Sequence, residues 1–219
     1  MNKEQNLILT RSYKFTDIKA QKRSEGDADD GVKRVEGHAA VFGSKTNICG
    51  WFEEIIERGA FDGTDFDDVP LFVNHDWRKI PLARSRRNNG GSTMRLKIDE
   101  AGLFVSADID TKNNSEARQL FSSVERGDIS GMSFVFSVKE ERWEGLDSEL
   151  PLRHIIKINK VFDVSAVTTP AYEKTDIHAR DKAALDNARL ALENARSQEL
   201  ENSRAVELYR EKIKLLGGM

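Results

Sequence analysis

A serine hydroxyl becomes a nucleophile when a histidine takes its proton and a further polar group orients that histidine, and this chain holds candidates for each part. The serine is Ser133. It lies in GDISGMSFVFSV, residues 127–138, where Met132, Phe134, Phe136 and Val138 alternate with Ser133, Val135 and Ser137 at the two-residue period of a strand. The hydroxyl therefore points away from the Met/Phe face, and Gly127 and Gly131 allow the turn that leads into the strand. On this stretch alone the plainer alternative is a strand serine hydrogen-bonded to a neighbour, since the spacing is not the G-x-S-x-G of a nucleophile elbow.

Among the histidines, His75 closes the apolar run VPLFV and is well placed to face a cleft. Asp76 beside it points to the other side of an extended chain and is a poor orienting group. His38 lies inside the short strand VEGHAAVFG and reads as a satisfied structural residue. Asp163 interrupts the nearly apolar run from Val161 to Val167, where a carboxylate is costly to bury unless it is paired. A histidine would serve, as would an arginine or lysine. Glu53, Glu54 and Glu57 in WFEEIIERGAFDG invite a metal reading, but no histidine or cysteine stands at ligand spacing, so a solvated acidic edge is expected. Cys49, in the loop-like SKTNICGW, reads as an inert thiol. Neither a metal-ligand cluster nor a phosphate-binding glycine loop is present, so no cofactor is expected.

The elements that must position these groups are mostly strands. Alternation predicts one in NLILTRSYKF from Asn6, one in VEGHAAVFG and a hairpin in STMRLKIDEAGLFVSADI from Ser92; residues 17–35 are charged, with a loop at Gly26–Gly31. Ala117, Leu120, Phe121 and Val124 predict a helix over 114–126 with Ser115 as N-cap and Gly127 as its stop, delivering the chain to Ser133. From Asp181 glycine and proline vanish until Gly217, and one long helix is expected. Its stripe of Leu185, Ala188, Leu192, Ala195, Val206, Tyr209, Ile213 and Leu216 has coiled-coil spacing, broken by Glu199 and Asn202, and calls for a partner helix or for packing on its own domain. With 219 residues, one cysteine and 32% charged residues that cancel to a net −3, the chain reads as one domain with an appendage. No field recommends nucleic acid or a membrane as partner, and no run is long and apolar enough to span a bilayer.

Several separated stretches together resemble the prohead (capsid maturation) proteases of tailed bacteriophages, related in fold to the herpesvirus assemblin proteases. They are VEGHAAVFG, IERGAFDG, the strand ending in NHD, AGLFVSADI, GDISGMSF and VFDVSAVTTPAY, in the family's order, and they cover roughly Lys33 to Ala179. The resemblance implies that Ser133 is the nucleophile, His75 the general base and Asp163 the third member, although many relatives have glutamate at that last position. His154 is the runner-up, because the assemblin proteases use a second histidine. Arg84 is a candidate for oxyanion support. The implied fold is α+β and mainly β: a small antiparallel β-barrel with surface helices over residues 1–179, followed by a helical, coiled-coil-like tail over 180–219. The implied function is a serine endopeptidase working in the host cytoplasm inside the assembling procapsid, cutting scaffolding protein or the scaffolding segment of the major capsid protein and also itself. Homo-oligomerisation would suit the tail. The competing reading is a non-catalytic assembly protein in which Ser133 is structural, and the two are separated by whether His75 and Asp163 approach Ser133.

Overall fold

Eleven strands and two helices occur among the described residues of the computed structural model, which are 8–12, 17–21, 31–168 and 182–216. The first sheet runs β1 (Ile8–Ser12), β10 (Gly131–Glu144), β11 (Leu152–Val167), β5 (Phe52–Ile56) and β4 (Thr46–Ile48); β6 (Val69–Val73) also pairs with β11, and β7 (Ala83–Ser85) pairs with β6. The second sheet runs β2 (Lys19–Gln21), β3 (Val32–Val41), β9 (Gly102–Asp110) and β8 (Met94–Ile98). The expectation of antiparallel pairing throughout needs correction, and closure into a barrel is not seen among the described residues. β11 pairs in parallel with β5 through Leu152–Ile155 and with β6 through Val164–Ala166, and among the described residues the strands form two sheets with no closed ring. A 16-residue strand is long enough to serve two separate neighbours on one side while β10 lies antiparallel along the other.

One core joins the sheets: Leu9, Phe134, Phe136, Val161 and Val164 from the first share it with Val35, Leu103, Val105 and Ile109 from the second. Phe134 and Phe136 point the same way from β10 and stack at 4.3 Å. The helix α1 (Ser115–Arg126) adds Ala117, Leu120, Phe121 and Val124, the predicted stripe. Its N-cap is Asn114 rather than Ser115. The Asn114 Oδ1 accepts the backbone N–H groups of Glu116 and Ala117 at 2.9 and 3.2 Å, which leaves Ser115 as the first helical residue. Gly127 ends the helix at φ 81°, a left-handed conformation that a residue with a Cβ adopts only at a cost.

The acidic edge expected at 53–57 is also corrected, because β5 turns Phe52, Glu54 and Ile56 inward together. Glu54 has no exposed surface and lies between two buried guanidiniums. Its Oε1 and Oε2 accept from Arg11 at 2.5 and 3.0 Å, and Oε2 also accepts from Arg153 at 3.0 Å. Burial alone would raise its pKa, but the two arginines outweigh it and hold the carboxyl below the usual carboxylate range. The cluster ties β1, β5 and β11 together.

The reading in which the long helix packs on its own domain describes the first part of α2 (Lys182–Leu216). Ala188 and Leu192 pack on Ile48 and Phe52, beside Trp51, Trp143 and Leu146, and the Asn187 side chain donates to the Ile8 carbonyl at 3.0 Å. Further along, Leu200, Val206, Leu208, Tyr209 and Ile213 are exposed. The boundary expected at 179/180 lies outside the described residues.

Candidate active site

Strand register brings the candidates together. Ser133 on β10 stands directly across from Ser165 on β11, and Asp163 lies two residues before Ser165, hence on the same face. On the far side of β11, Phe72 of β6 pairs with Ser165. A histidine following β6 is therefore two strand spacings, about 10 Å, from Ser133, and must reach back over β11. The turn after β6 makes that possible. Asn74 and His75 both take left-handed backbone conformations, with φ 53° and 55°. Any non-glycine residue is uncommon in that region, and two in succession need outside contacts to hold the turn. They come from the end of β11 and just beyond it. The Asn74 N–H donates to the Ala166 carbonyl at 3.0 Å, Asn74 Oδ1 accepts the Thr168 N–H at 3.0 Å, and the His75 N–H donates to Ser165 Oγ at 3.1 Å.

The result is a continuous polar chain: His75 Nε2 is 2.7 Å from Ser133 Oγ, and His75 Nδ1 is 2.6 Å from Asp163 Oδ1. Ser133 and Asp163 have no exposed surface, while the imidazole between them is slightly exposed. Ser133 Oγ also lies 2.8 Å from the Arg11 carbonyl on β1, a second acceptor for its proton. One hydroxyl proton serves one acceptor at a time. Nε2 can accept it only if Nδ1 carries the other ring proton, and the Asp163 carboxylate facing Nδ1 favours that tautomer.

The remaining candidates lie elsewhere. His154 is nine residues before Asp163 on the same strand, which places it about 30 Å away along β11, and its Nδ1 meets Glu57 at 2.6 Å. Arg84 forks onto Asp68 through two 2.6 Å contacts and makes no hydrogen bond to Ser133 or His75 among the described residues. Asp76 is taken by Arg78. His38 is satisfied, as expected of a structural histidine: Nδ1 bonds Asp17 and Nε2 lies 3.1 Å from Asp99. Burial would lower the His38 pKa, but these two carboxylates outweigh it and the net direction is upward.

Sequence reasoning missed three groups at the site. Ser165 shares the Asp163 face at the two-residue period and could have been found by that signal. Trp77, whose indole N–H donates to Asp163 Oδ2 at 2.5 Å, and the Arg11 carbonyl carry no local signature. No group of three or more histidine, cysteine, aspartate or glutamate side chains suited to a metal ion occurs among the described residues.

Residues 17–188 match a family model described as Caudovirus prohead serine protease. The chain is also 30% identical over 177 residues to the prohead protease of Enterobacteria phage HK97, a match covering 79% of this chain and 68% of that protein. No solved structure matches the chain.

Proposed function

Because the chain belongs to the caudovirus prohead serine protease family, we propose that Ser133, His75 and Asp163 are the triad with which it cuts peptide bonds during procapsid maturation. The observation that carries this reading is the His75 imidazole bridging Ser133 Oγ and Asp163 Oδ1 at 2.7 and 2.6 Å. Ser133 Oγ attacks the scissile carbonyl carbon as its proton passes to His75 Nε2. Asp163 holds the Nδ1–H and stabilises the imidazolium that forms. The tetrahedral intermediate collapses as His75 gives the proton to the leaving amine, and a water molecule then repeats the sequence on the acyl-serine with His75 again as base. For the first step the Ser133 proton must lie toward Nε2 rather than toward the Arg11 carbonyl.

The substrates in this proposal are scaffolding protein or the scaffolding segment of the major capsid protein, and the chain itself. The exposed stripe of Val206, Tyr209 and Ile213 on α2 is the surface by which scaffold or capsid-protein helices bring the enzyme into the procapsid. Homo-oligomerisation through the same stripe is the other use it would allow. The fold proposed for the family, a barrel, would require the two sheets to close on each other. Membership in a protease family favours the peptidase reading over a non-catalytic assembly protein.

Intact mass followed over time tests the triad, with the wild-type chain beside Ser133→Ala and His75→Ala. Shortening of wild type alone is the expected result. If all three stay whole when concentrated and mixed with scaffold, or all three shorten alike, the proposal fails.

A further inference from the structure

Three donors converge on the Asp163 carboxylate, and only one of them is His75. Its Oδ1 accepts from His75 Nδ1 at 2.6 Å and from the Ser165 hydroxyl at 3.2 Å, while Oδ2 accepts from the Trp77 indole N–H at 2.5 Å. A carboxylate on the short aspartate stem rotates about two side-chain bonds. One hydrogen bond to His75 would leave the second oxygen to set that rotation, and inside a strand run with no exposed surface an unpaired oxygen is costly. The indole fills that place.

Ser165 has a further connection. Its Oγ accepts the backbone N–H of His75 at 3.1 Å while its proton goes to Asp163, so one hydroxyl fixes the distance between the base's backbone and the group that orients the base's ring. This matters because the His75 backbone is left-handed at φ 55° and would relax if released. Trp77 comes from the same turn, two residues after His75, and its N–H bonds back to the His75 carbonyl at 3.0 Å. The turn therefore grips Asp163 twice, once through the imidazole and once through the indole. Half of the Trp77 surface, 55%, is exposed, so the ring is not held there by burial and the indole N–H is the specific part of its contact.

We infer that Trp77 and Ser165 are positioning residues of the peptidase reaction, which clamp the Asp163 carboxylate so that its Oδ1 meets His75 Nδ1 while Nε2 faces Ser133. The inference rests on the triad proposed above. Neither residue touches the reacting atoms. Trp77 acts through Asp163, and Ser165 through Asp163 and the His75 backbone, so loss of either slows acylation of Ser133 without weakening substrate binding, and loss of the Trp77 donor has no effect once Asp163 can no longer orient the imidazole.

The test uses a fluorophosphonate probe, which phosphonylates an activated serine, on the full-length chain, with the site of labelling read by peptide mass. Trp77→Phe keeps an aromatic ring and removes the donor. Ser165→Ala removes the hydroxyl, and Ser165→Thr restores it. Each donor-removing variant should lower kinact about tenfold at unchanged KI, and Ser165→Thr should recover most of the Ser165→Ala loss. In an Asp163→Asn background, Trp77→Phe should produce no further fall. Wild-type kinact in Trp77→Phe, an effect confined to KI, or a full additional tenfold loss on top of Asp163→Asn would each overturn the assignment. Failure of the triad itself shows differently, as labelling that survives Ser133→Ala, and it would take the positioning roles down with it.

Discussion

Replacing Glu54 by glutamine, in a Ser133→Ala background that prevents self-cleavage, removes a charge without changing shape and isolates the buried ion cluster. Glu54 has no exposed surface, and its carboxylate neutralises two guanidiniums that are themselves buried, Arg11 and Arg153. Arg153 also pairs with Glu141, and the Arg11 guanidinium also donates to the Thr10 carbonyl at 2.9 Å. Removing one partner of a buried pair typically costs about 3–5 kcal/mol, because the partner's charge stays behind uncompensated. For a chain of this size that is a fall in melting temperature of about 6–20 °C at neutral pH. A simple packing defect would leave a stability gap independent of pH, whereas this one depends on it. The folded-state pKa of Glu54 is depressed by the two arginines, so its contribution is complete above the unfolded-state value and is lost as pH falls through the folded one. Urea unfolding of parent and variant from pH 7 downward should therefore show the gap narrowing with acid. A gap under about 1 kcal/mol at pH 7, or one that stays constant down to the acid transition, would refute the account of Glu54 as an ionised strut.

Asp163→Asn should lower peptidase turnover by about three to four orders of magnitude with the fold retained, read as self-cleavage rate beside the circular dichroism spectrum. His38, whose folded pKa is raised, contributes stability that is complete below its unfolded value and lost as pH rises through the folded one; His38→Gln should flatten the urea midpoint across that window, and an unchanged slope would argue against the Asp17–His38–Asp99 link. Leu192→Ala should cost about 2–3 kcal/mol because Leu192 is packed against Ile48 and Phe52, while Ile213→Ala, on the exposed part of the same helix, should change stability by under about 0.5 kcal/mol; both are read by urea unfolding. Deleting residues 200–219, which leaves the packed Ala188 and Leu192 in place, should abolish entry into proheads while leaving fluorophosphonate labelling of Ser133; a truncated chain that is still packaged would remove the exposed part of α2 as the docking element.

What could be read from the sequence was local. The two-residue period around Ser133, the apolar run that ends at His75 and the expense of a carboxylate at Asp163 are each properties of a few adjacent residues, and each predicted the right element. The α1 stripe was legible for the same reason, although its cap was misassigned by one residue because Asn114 and Ser115 are both good capping types. The order of the separated stretches carried the family. Glu54 shows where this kind of reading stops: its neighbours in sequence are acidic, but its partners lie 43 and 99 residues away, and only strand pairing makes its side of β5 the inner one. The site has the same character. That β11 lies between β10 and β6, that a left-handed turn carries His75 back over it, and that Asp163 rather than His154 faces that turn all depend on which strands become neighbours. Side-chain alternation is set residue by residue along the backbone, so the sequence by itself determined which groups could point together; the pairing of distant strands, chosen by burial of the whole core, decided which of them met.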